Sequence, residues 1–176
     1  TEDPDALCQA LRLMGATCGG INLEGIKAPE CFIIEQRLKE EMDIPVFHDD
    51  QHGTAVICAA GLINALHISG KKIEDCKIVL NGAGAAGIAC IELLKSMGAK
   101  HDNCITCDTK GVIYQGRTEG MNQWKSAHAI KTDLRTLEEA MKDADVFLGV
   151  SAKGAVTPDM VAAMADNPVI FAMANP

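Results

Sequence analysis

The segment from Lys77 to Ala89 constrains the fold more than any other part of the chain. It reads Lys-Ile-Val-Leu-Asn-Gly-Ala-Gly-Ala-Ala-Gly-Ile-Ala, so an apolar run precedes glycines at positions 82, 84 and 87, and a second apolar run follows. The first run is short and continuous, as in a buried strand, and the second has the composition of a helix. A strand, a G-x-G-x-x-G turn and a helix in that order indicate a dinucleotide site.

Each glycine of this turn has a stereochemical role. Gly82 permits the tight turn, Gly84 lets the backbone approach a pyrophosphate, and Gly87 lets the helix pack closely on the strand. Phosphates are expected at the start of the helix, because free N–H groups there attract negative charge. We therefore predict that NAD or NADP binds at this turn, which comprises Gly82, Ala83, Gly84, Ala85, Ala86 and Gly87.

A carboxylate follows the second predicted strand. That strand spans residues 104–107, and Asp108 comes directly after it. In dinucleotide-binding folds this position usually contacts the adenosine ribose. An isolated carboxylate there would favour NAD, since it would repel a 2′-phosphate. Lys110 and Arg117 lie downstream and would offset this effect, so both cofactors stay open.

Strands and helices alternate from residue 77 onward. We predict strands at 77–80, 104–107, 145–150 and 169–174, helices at 134–142 and 157–164, and a long irregular loop at 111–129. This alternation favours an α/β fold with a doubly wound parallel sheet, a Rossmann-type domain. Ligands bind beyond the carboxyl ends of strands in such sheets. Ser151 and Asn175 lie at two of these ends, so we predict that both bind cofactor.

Acidic residues before this region indicate a cation site. Asp49 and Asp50 stand between the apolar segment 46–47 and Gly53, in the manner of a functional loop. Their oxygens, with those of Glu24, suit Mg²⁺ or Mn²⁺. The neighbouring histidines at positions 48 and 52 are better explained as hydrogen-bonding groups than as ligands.

Composition excludes several classes of protein. The formal net charge of −8 argues against a nucleic-acid partner. No run of 18 apolar residues exists, so no membrane span is expected. The first residues are acidic and unlike a secretory signal. The eight cysteines lie mostly in apolar surroundings, as expected for reduced, buried side chains, and we predict a cytoplasmic protein.

Several motifs together resemble malic enzymes of the bacterial type. The most specific is Phe-His-Asp-Asp-Gln-His-Gly-Thr-Ala at positions 47–55. The segments at 21–26, 28–32, 82–87, 145–151 and 171–176 also match, so the resemblance covers essentially the whole chain. It implies oxidative decarboxylation of L-malate to pyruvate and CO₂ with NAD(P)⁺ and a divalent cation. It also implies a homodimer or a higher homo-oligomer.

The resemblance assigns roles to individual residues. Glu24 and Asp50 would bind the metal, Asp49 would orient the site or contact the substrate, and Asn175 would contact the nicotinamide ribose or the substrate. Residues 1–69 would then be part of the substrate-binding and metal-binding region with its linking helix. Residues 70–176 would be the NAD(P)-binding domain, truncated at its C-terminus.

Two departures from the family pattern bear on activity. The family usually has an aspartate, a third metal ligand, where this chain has Gly25. The catalytic tyrosine and lysine of the family lie upstream of this chain, and Tyr114 stands in a different context. We therefore expect the 176-residue chain to bind cofactor without turning over malate. Two alternatives are another Rossmann dehydrogenase, such as an amino-acid dehydrogenase, which needs no cation, and a non-catalytic dinucleotide-binding module.

Overall fold

The computed structural model describes residues 3–174. Short helices and strands alternate along the chain, and a π-helical turn, Asp49–Gly53, joins the second strand to the third helix. The helices are α1 (Pro4–Gly15), α2 (Glu30–Glu41), α3 (Thr54–Ser69), α4 (Ala85–Ser96), α5 (Gln123–Ser126), α6 (Leu137–Met141) and α7 (Pro158–Ala162). The strands are β1 (Ile21–Leu23), β2 (Val46–His48), β3 (Ile78–Asn81), β4 (Cys104–Asp108), β5 (Gly111–Val112), β6 (Val146–Gly149) and β7 (Val169–Ala172).

The main sheet has five strands in the order β5-β4-β3-β6-β7. All neighbours are parallel except β5, which runs antiparallel to β4. Side chains alternate across the sheet, so Ile78 and Leu80 of β3 pack with α3 and α4. Val79 points to the opposite face and packs with α6. The predicted α/β fold, with helices on both faces of a mostly parallel sheet, is therefore confirmed.

A smaller sheet stands before the main one. Its strands β1 and β2 are parallel, with Leu23 paired to His48. Helices α1 and α2 cover it through an apolar core that includes Cys8, Ile34 and Leu38. Helix α3 belongs to the core of the main sheet. The division of the chain at residues 69 and 70 stays a prediction.

The region 111–129 is more ordered than the predicted irregular loop. Strand β5 pairs back on β4 through a tight hairpin in which Asp108 lies opposite Gly111. Helix α5 begins after Asn122, whose side chain accepts a hydrogen bond from the N–H of Lys125. Both elements depend on turn and cap chemistry, so they leave no hydrophobic period in the sequence. The predicted loop therefore contains two short elements, and the rest of it has no helix or strand.

The C-x-x-C at positions 104 and 107 lies inside β4. Its two side chains belong to the cores on opposite faces of the sheet, so they do not converge on one ion. All eight cysteines are free, and all except Cys18 are buried. These positions are the ones that a small apolar side chain occupies.

One helix among residues 3–174 has the length and apolar composition of a membrane span. It covers Asp49–Ser69. Its most apolar stretch of 18 residues has a mean hydropathy of 1.3 and is 28% buried. Core helices of soluble proteins share these features, and the inward side of α3 packs on the sheet. The outward side exposes Val56, Ile57, Ile63 and Ile68. The expected absence of a membrane span stays a prediction.

Candidate functional site

The glycine turn lies between β3 and α4, as predicted. Gly82 has a φ of +125°, and a Cβ built on it would lie 2.9 Å from the carbonyl carbon of Val150. A Cβ on Gly87 would overlap the carbonyl oxygen of Gly82. No atom lies within 4 Å of the Cβ position of Gly84. Two glycines therefore permit the turn itself, and the third leaves open space for a ligand.

The start of α4 faces a cavity of about 430 Å³. Gly84 precedes the helix, and no side chain caps it. First-turn amides have no partner within a helix, so those of Ala85, Ala86 and Gly87 are available to an anion. The other residues that line this cavity are Ile26, Lys27, Ala28, Asp50, Gly82, Gly84 and Val150. The glycine turn and one of the predicted metal ligands thus border the same space.

The predicted metal ligands come together at the carboxyl ends of β1 and β2. Since Leu23 pairs with His48, Glu24 and Asp49 leave the small sheet at the same edge. The N–H of Gly25 donates a 2.8 Å hydrogen bond to Oδ2 of Asp50. The loops that carry Glu24 and Asp50 are therefore in direct contact.

This donor set is small. Within residues 3–174, no group of three or more His, Cys, Asp or Glu side chains is arranged to hold a metal ion. Glu24 and Asp50 offer hard oxygen donors, and Mg²⁺ is commonly bound by one or two carboxylates together with water and substrate. The two residues fit such an ion, and the metal assignment stays a prediction.

A buried carboxylate holds the Asp49–Gly53 turn in place. Glu35 of α2 is 5% exposed. It accepts hydrogen bonds from Nε2 of His52 at 2.7 Å and from Nε2 of Gln51 at 3.2 Å, and it pairs with Lys39 at 2.7 Å. Burial raises the pKa of Glu35. The hydrogen bonds from Lys39 and His52 lower it by more than burial raises it, so the net pKa is below its usual value. Glu35 is therefore the anchor of the segment that carries Asp49 and Asp50.

Asp108 lies at the end of β4, beside the glycine turn, because the N–H of Gly82 bonds to the carbonyl of Cys107. Both of its oxygens are engaged. Nη2 of Arg117 donates to them at 2.7 and 2.9 Å, and Nζ of Lys125 donates at 2.7 Å. Burial raises the pKa of Asp108, while these bonds lower it more, and the net pKa falls. Its contact with the cofactor ribose stays a prediction, and two cations now surround that position.

Helix α5 brings Lys125 to this corner. Its Trp124 stacks on Phe32 with ring centroids 4.8 Å apart. Trp124 packs against the same apolar cluster, Cys31, Phe32 and Ile88, as Ala83 and Ala85 of the glycine turn. Sequence reasoning did not identify Lys125, because only the folding back of the chain after β5 places it next to Asp108.

The remaining predicted residues lie around this centre. Ser151 lines a second cavity, of about 440 Å³, at the carboxyl ends of β3, β6 and β7. Its Oγ accepts a 2.9 Å hydrogen bond from Nδ2 of Asn81. Asp49 is exposed and folds its side chain against Gly53. Asn175 lies outside the described residues. The roles of these three residues stay predictions.

A further polar cluster was not foreseen from the sequence. Nζ of Lys95 lies 2.8 Å from Nδ1 of His101 and 2.9 Å from Nδ1 of His128. Nε2 of His128 lies 3.5 Å from a carboxylate oxygen of Glu92. The cluster joins the last turn of α4 to the segment after α5. It therefore helps to hold that segment in place.

Comparison with known proteins identifies the family. Residues 51–176 match the family described as malic enzyme, NAD-binding domain. The chain belongs to the malic enzyme family. The resemblance seen in the sequence is thereby confirmed, and the glycine turn lies within the matched NAD-binding domain.

Relatives in the malic enzyme family include some named NADP-dependent and some named NAD-dependent. The chain is 66% identical over its whole length to the NADP-dependent malic enzyme of Rhizobium meliloti (strain 1021), of which it covers 23%. It is 50% identical over 98% of its length to the NAD-dependent malic enzyme of the same strain, of which it covers 22%. The crystal structure of the NAD-dependent malic enzyme from Thermotoga maritima matches all of it at 41% identity with a TM-score of 0.94. The chain spans 48% of that structure.

Proposed function

We propose that the chain supplies the cofactor-binding part and two cation ligands of an enzyme that acts on L-malate. The enzyme would oxidise L-malate with NAD(P)⁺ and decarboxylate the product to pyruvate and CO₂. One observation carries the proposal: the glycine turn and Asp50 line a single cavity. Malate oxidation needs a dinucleotide and a cation in one site, and residues proposed to bind each of them border this cavity.

Residues of this chain would hold each component. The first-turn amides of α4 would bind the pyrophosphate, and Ser151, held by Asn81, would contact the cofactor further along the sheet edge. Glu24 and Asp50 would hold the cation, with Asp50 oriented by the N–H of Gly25. When bound, the dinucleotide supplies a hydride acceptor and Mg²⁺ or Mn²⁺ supplies a Lewis acid for the substrate oxygens.

The charges around Asp108 favour NADP over NAD. A lone carboxylate would repel the 2′-phosphate, but Arg117 and Lys125 both donate to Asp108, so the three side chains together are cationic. Nζ of Lys125 donates to Asp108 and to the carbonyl of Gly120, which leaves its third N–H available. That group is suited to a phosphate oxygen.

Tryptophan fluorescence tests cofactor binding directly. Trp124 is the only tryptophan in the sequence, and it shares an apolar cluster with Ala83 and Ala85 of the glycine turn. Bound NADPH or NADH should therefore quench its emission by energy transfer, saturably, and with the lower Kd for NADPH. Lys125→Met should weaken NADPH binding by about 10-fold and leave NADH binding unchanged. No saturable quenching by either nucleotide would contradict the proposal.

The chain by itself is proposed to be inactive on malate. Its only tyrosine, Tyr114, lies under the guanidinium of Arg135, 3.7 Å from the ring centroid. This contact holds the ring in the segment after β5, and Tyr114 is not among the residues that line the cavity at the glycine turn. Adding malate and Mn²⁺ to the NADP⁺ complex should give no NADPH absorbance. Family membership removes the alternative of an amino-acid dehydrogenase, while a purely binding module stays open for this chain.

A further inference from the structure

A lysine between β1 and α2 lies beside the glycine turn. The segment 26–28 joins these elements, and its Ile26 and Ala28 pack in one apolar cluster with Ala83 and Ala85. The backbone between them therefore borders the same cavity as the start of α4. Lys27 is the residue at that point, and no sequence motif had singled it out.

Lys27 lines the same cavity as the first turn of α4. Among residues 3–174, the charged side chains that line this cavity are Lys27 and Asp50. The side chain of Lys27 is exposed. It makes no ion pair or hydrogen bond with any other side chain of the described part of the chain. Its ammonium is therefore available to a ligand in the cavity.

The charge of the expected ligand needs such a group. A pyrophosphate carries two negative charges, and Asp50 adds a third at the border of the same space. The amides of α4 contribute only partial positive charge. A lysine ammonium offers a full charge and three donors on a flexible side chain, so it can adjust to the position of a phosphate group.

We propose that Lys27 binds the pyrophosphate of the dinucleotide in the cavity that it shares with the first turn of α4. This inference rests on the proposed function, because it assumes that a dinucleotide occupies the turn. Lys27 differs from Lys125 in what it recognises. The pyrophosphate is common to NAD and NADP, so Lys27 would strengthen the binding of both equally, whereas Lys125 would act on the 2′-phosphate alone.

Binding of both nucleotides to the full chain separates these roles. Lys27→Met should raise the Kd values for NADPH and NADH by the same factor, about 5-fold to 20-fold in the Trp124 assay. Lys27→Arg should stay within about 2-fold of the unaltered chain, since it keeps the charge and the donors. The loss in Lys27→Met should shrink as salt is added.

Lys72→Met is the matched control. Lys72 is exposed and precedes β3 at the end of the strand away from the glycine turn, so its removal changes net charge equally. It should leave both affinities unchanged. Equal affinities in Lys27→Met and the unaltered chain, or a loss confined to NADPH, would overturn the assignment of Lys27 alone. Failure of the unaltered chain to bind either nucleotide would overturn the proposed function as well.

Discussion

At the scale of single residues, we propose that Gly25 limits how tightly the site holds a cation. Its φ is +69°, and no atom lies within 4 Å of the Cβ position. Its N–H bonds to Asp50, so a side chain at position 25 would start beside that carboxylate. Asp and Asn tolerate this backbone region better than other residues with a Cβ. The position therefore has both the space and the conformation for a third ligand.

Gly25→Asp should tighten Mn²⁺ binding by about 10-fold, because it adds a carboxylate next to Glu24 and Asp50. Electron paramagnetic resonance of free Mn²⁺ measures this change. Gly25→Asn is the control, since it has the same shape and carries the same backbone cost of about 1 kcal/mol without the charge. Equal Mn²⁺ affinities in the two variants would show that position 25 does not face the ion.

Residues differ in how far the sequence foretells their roles. The requirements at Gly82 and Gly87 are local, because a turn and a close contact with the preceding strand dictate them. The surroundings of Asp108 are not local. Its partners Arg117 and Lys125 come from 9 and 17 positions further along the chain and arrive through β5 and α5. The carboxylate predicted to contact the ribose is thus also one of three side chains in an ion cluster.

At the scale of elements, α2 positions the Asp49–Gly53 turn through Glu35. Glu35→Ala would leave His52, Gln51 and Lys39 without their common acceptor. We expect a loss of about 2 kcal/mol in the free energy of unfolding, because the buried amide of Gln51 loses its acceptor while Lys39 and His52 are partly exposed. The bond between Gly25 and Asp50 should also loosen, so the amide of Gly25 should exchange its hydrogen faster.

Glu40→Ala is the control for this prediction. Glu40 is on the same helix, is exposed and bonds only to Gln36 among side chains of the described residues. Its removal should cost less than about 0.5 kcal/mol. Hydrogen exchange at Gly25 should be unchanged in this variant. If Glu35→Ala behaved like Glu40→Ala, the turn would be held by its own backbone alone.

The spacing of apolar residues in the sequence predicts whether an element is a helix or a strand. It does not predict the residues at which the element begins and ends. Helix α6 begins at Leu137, later than the predicted residue 134, because Thr136 caps it in a box with Glu139. Strand β6 ends at Gly149, where the Cβ position lies against Phe147. Caps and close contacts of this kind act over one or two residues. They shift a boundary without changing the pattern that predicts the element.

At the scale of the whole molecule, the alternation of strands and helices was sufficient to predict a mostly parallel sheet. The meeting of the two sheets at one cavity was not predictable from that alternation. It depends on the apolar cluster that segment 26–28 shares with the glycine turn and on the bond from Gly25 to Asp50. Both are long-range contacts, which no local pattern reports. The acidic residues predicted to bind a metal and the dinucleotide fingerprint therefore border one cavity only in the folded chain.

The central claim is that a dinucleotide lies on the amides of Ala85, Ala86 and Gly87 beside Asp50. The most direct test is a ¹H–¹⁵N NMR titration of the chain with NADP⁺. We expect these three amide signals to move most, together with that of Asp50, and the signals from α1 to stay in place. Shifts concentrated elsewhere, with the first turn of α4 unaffected, would contradict it.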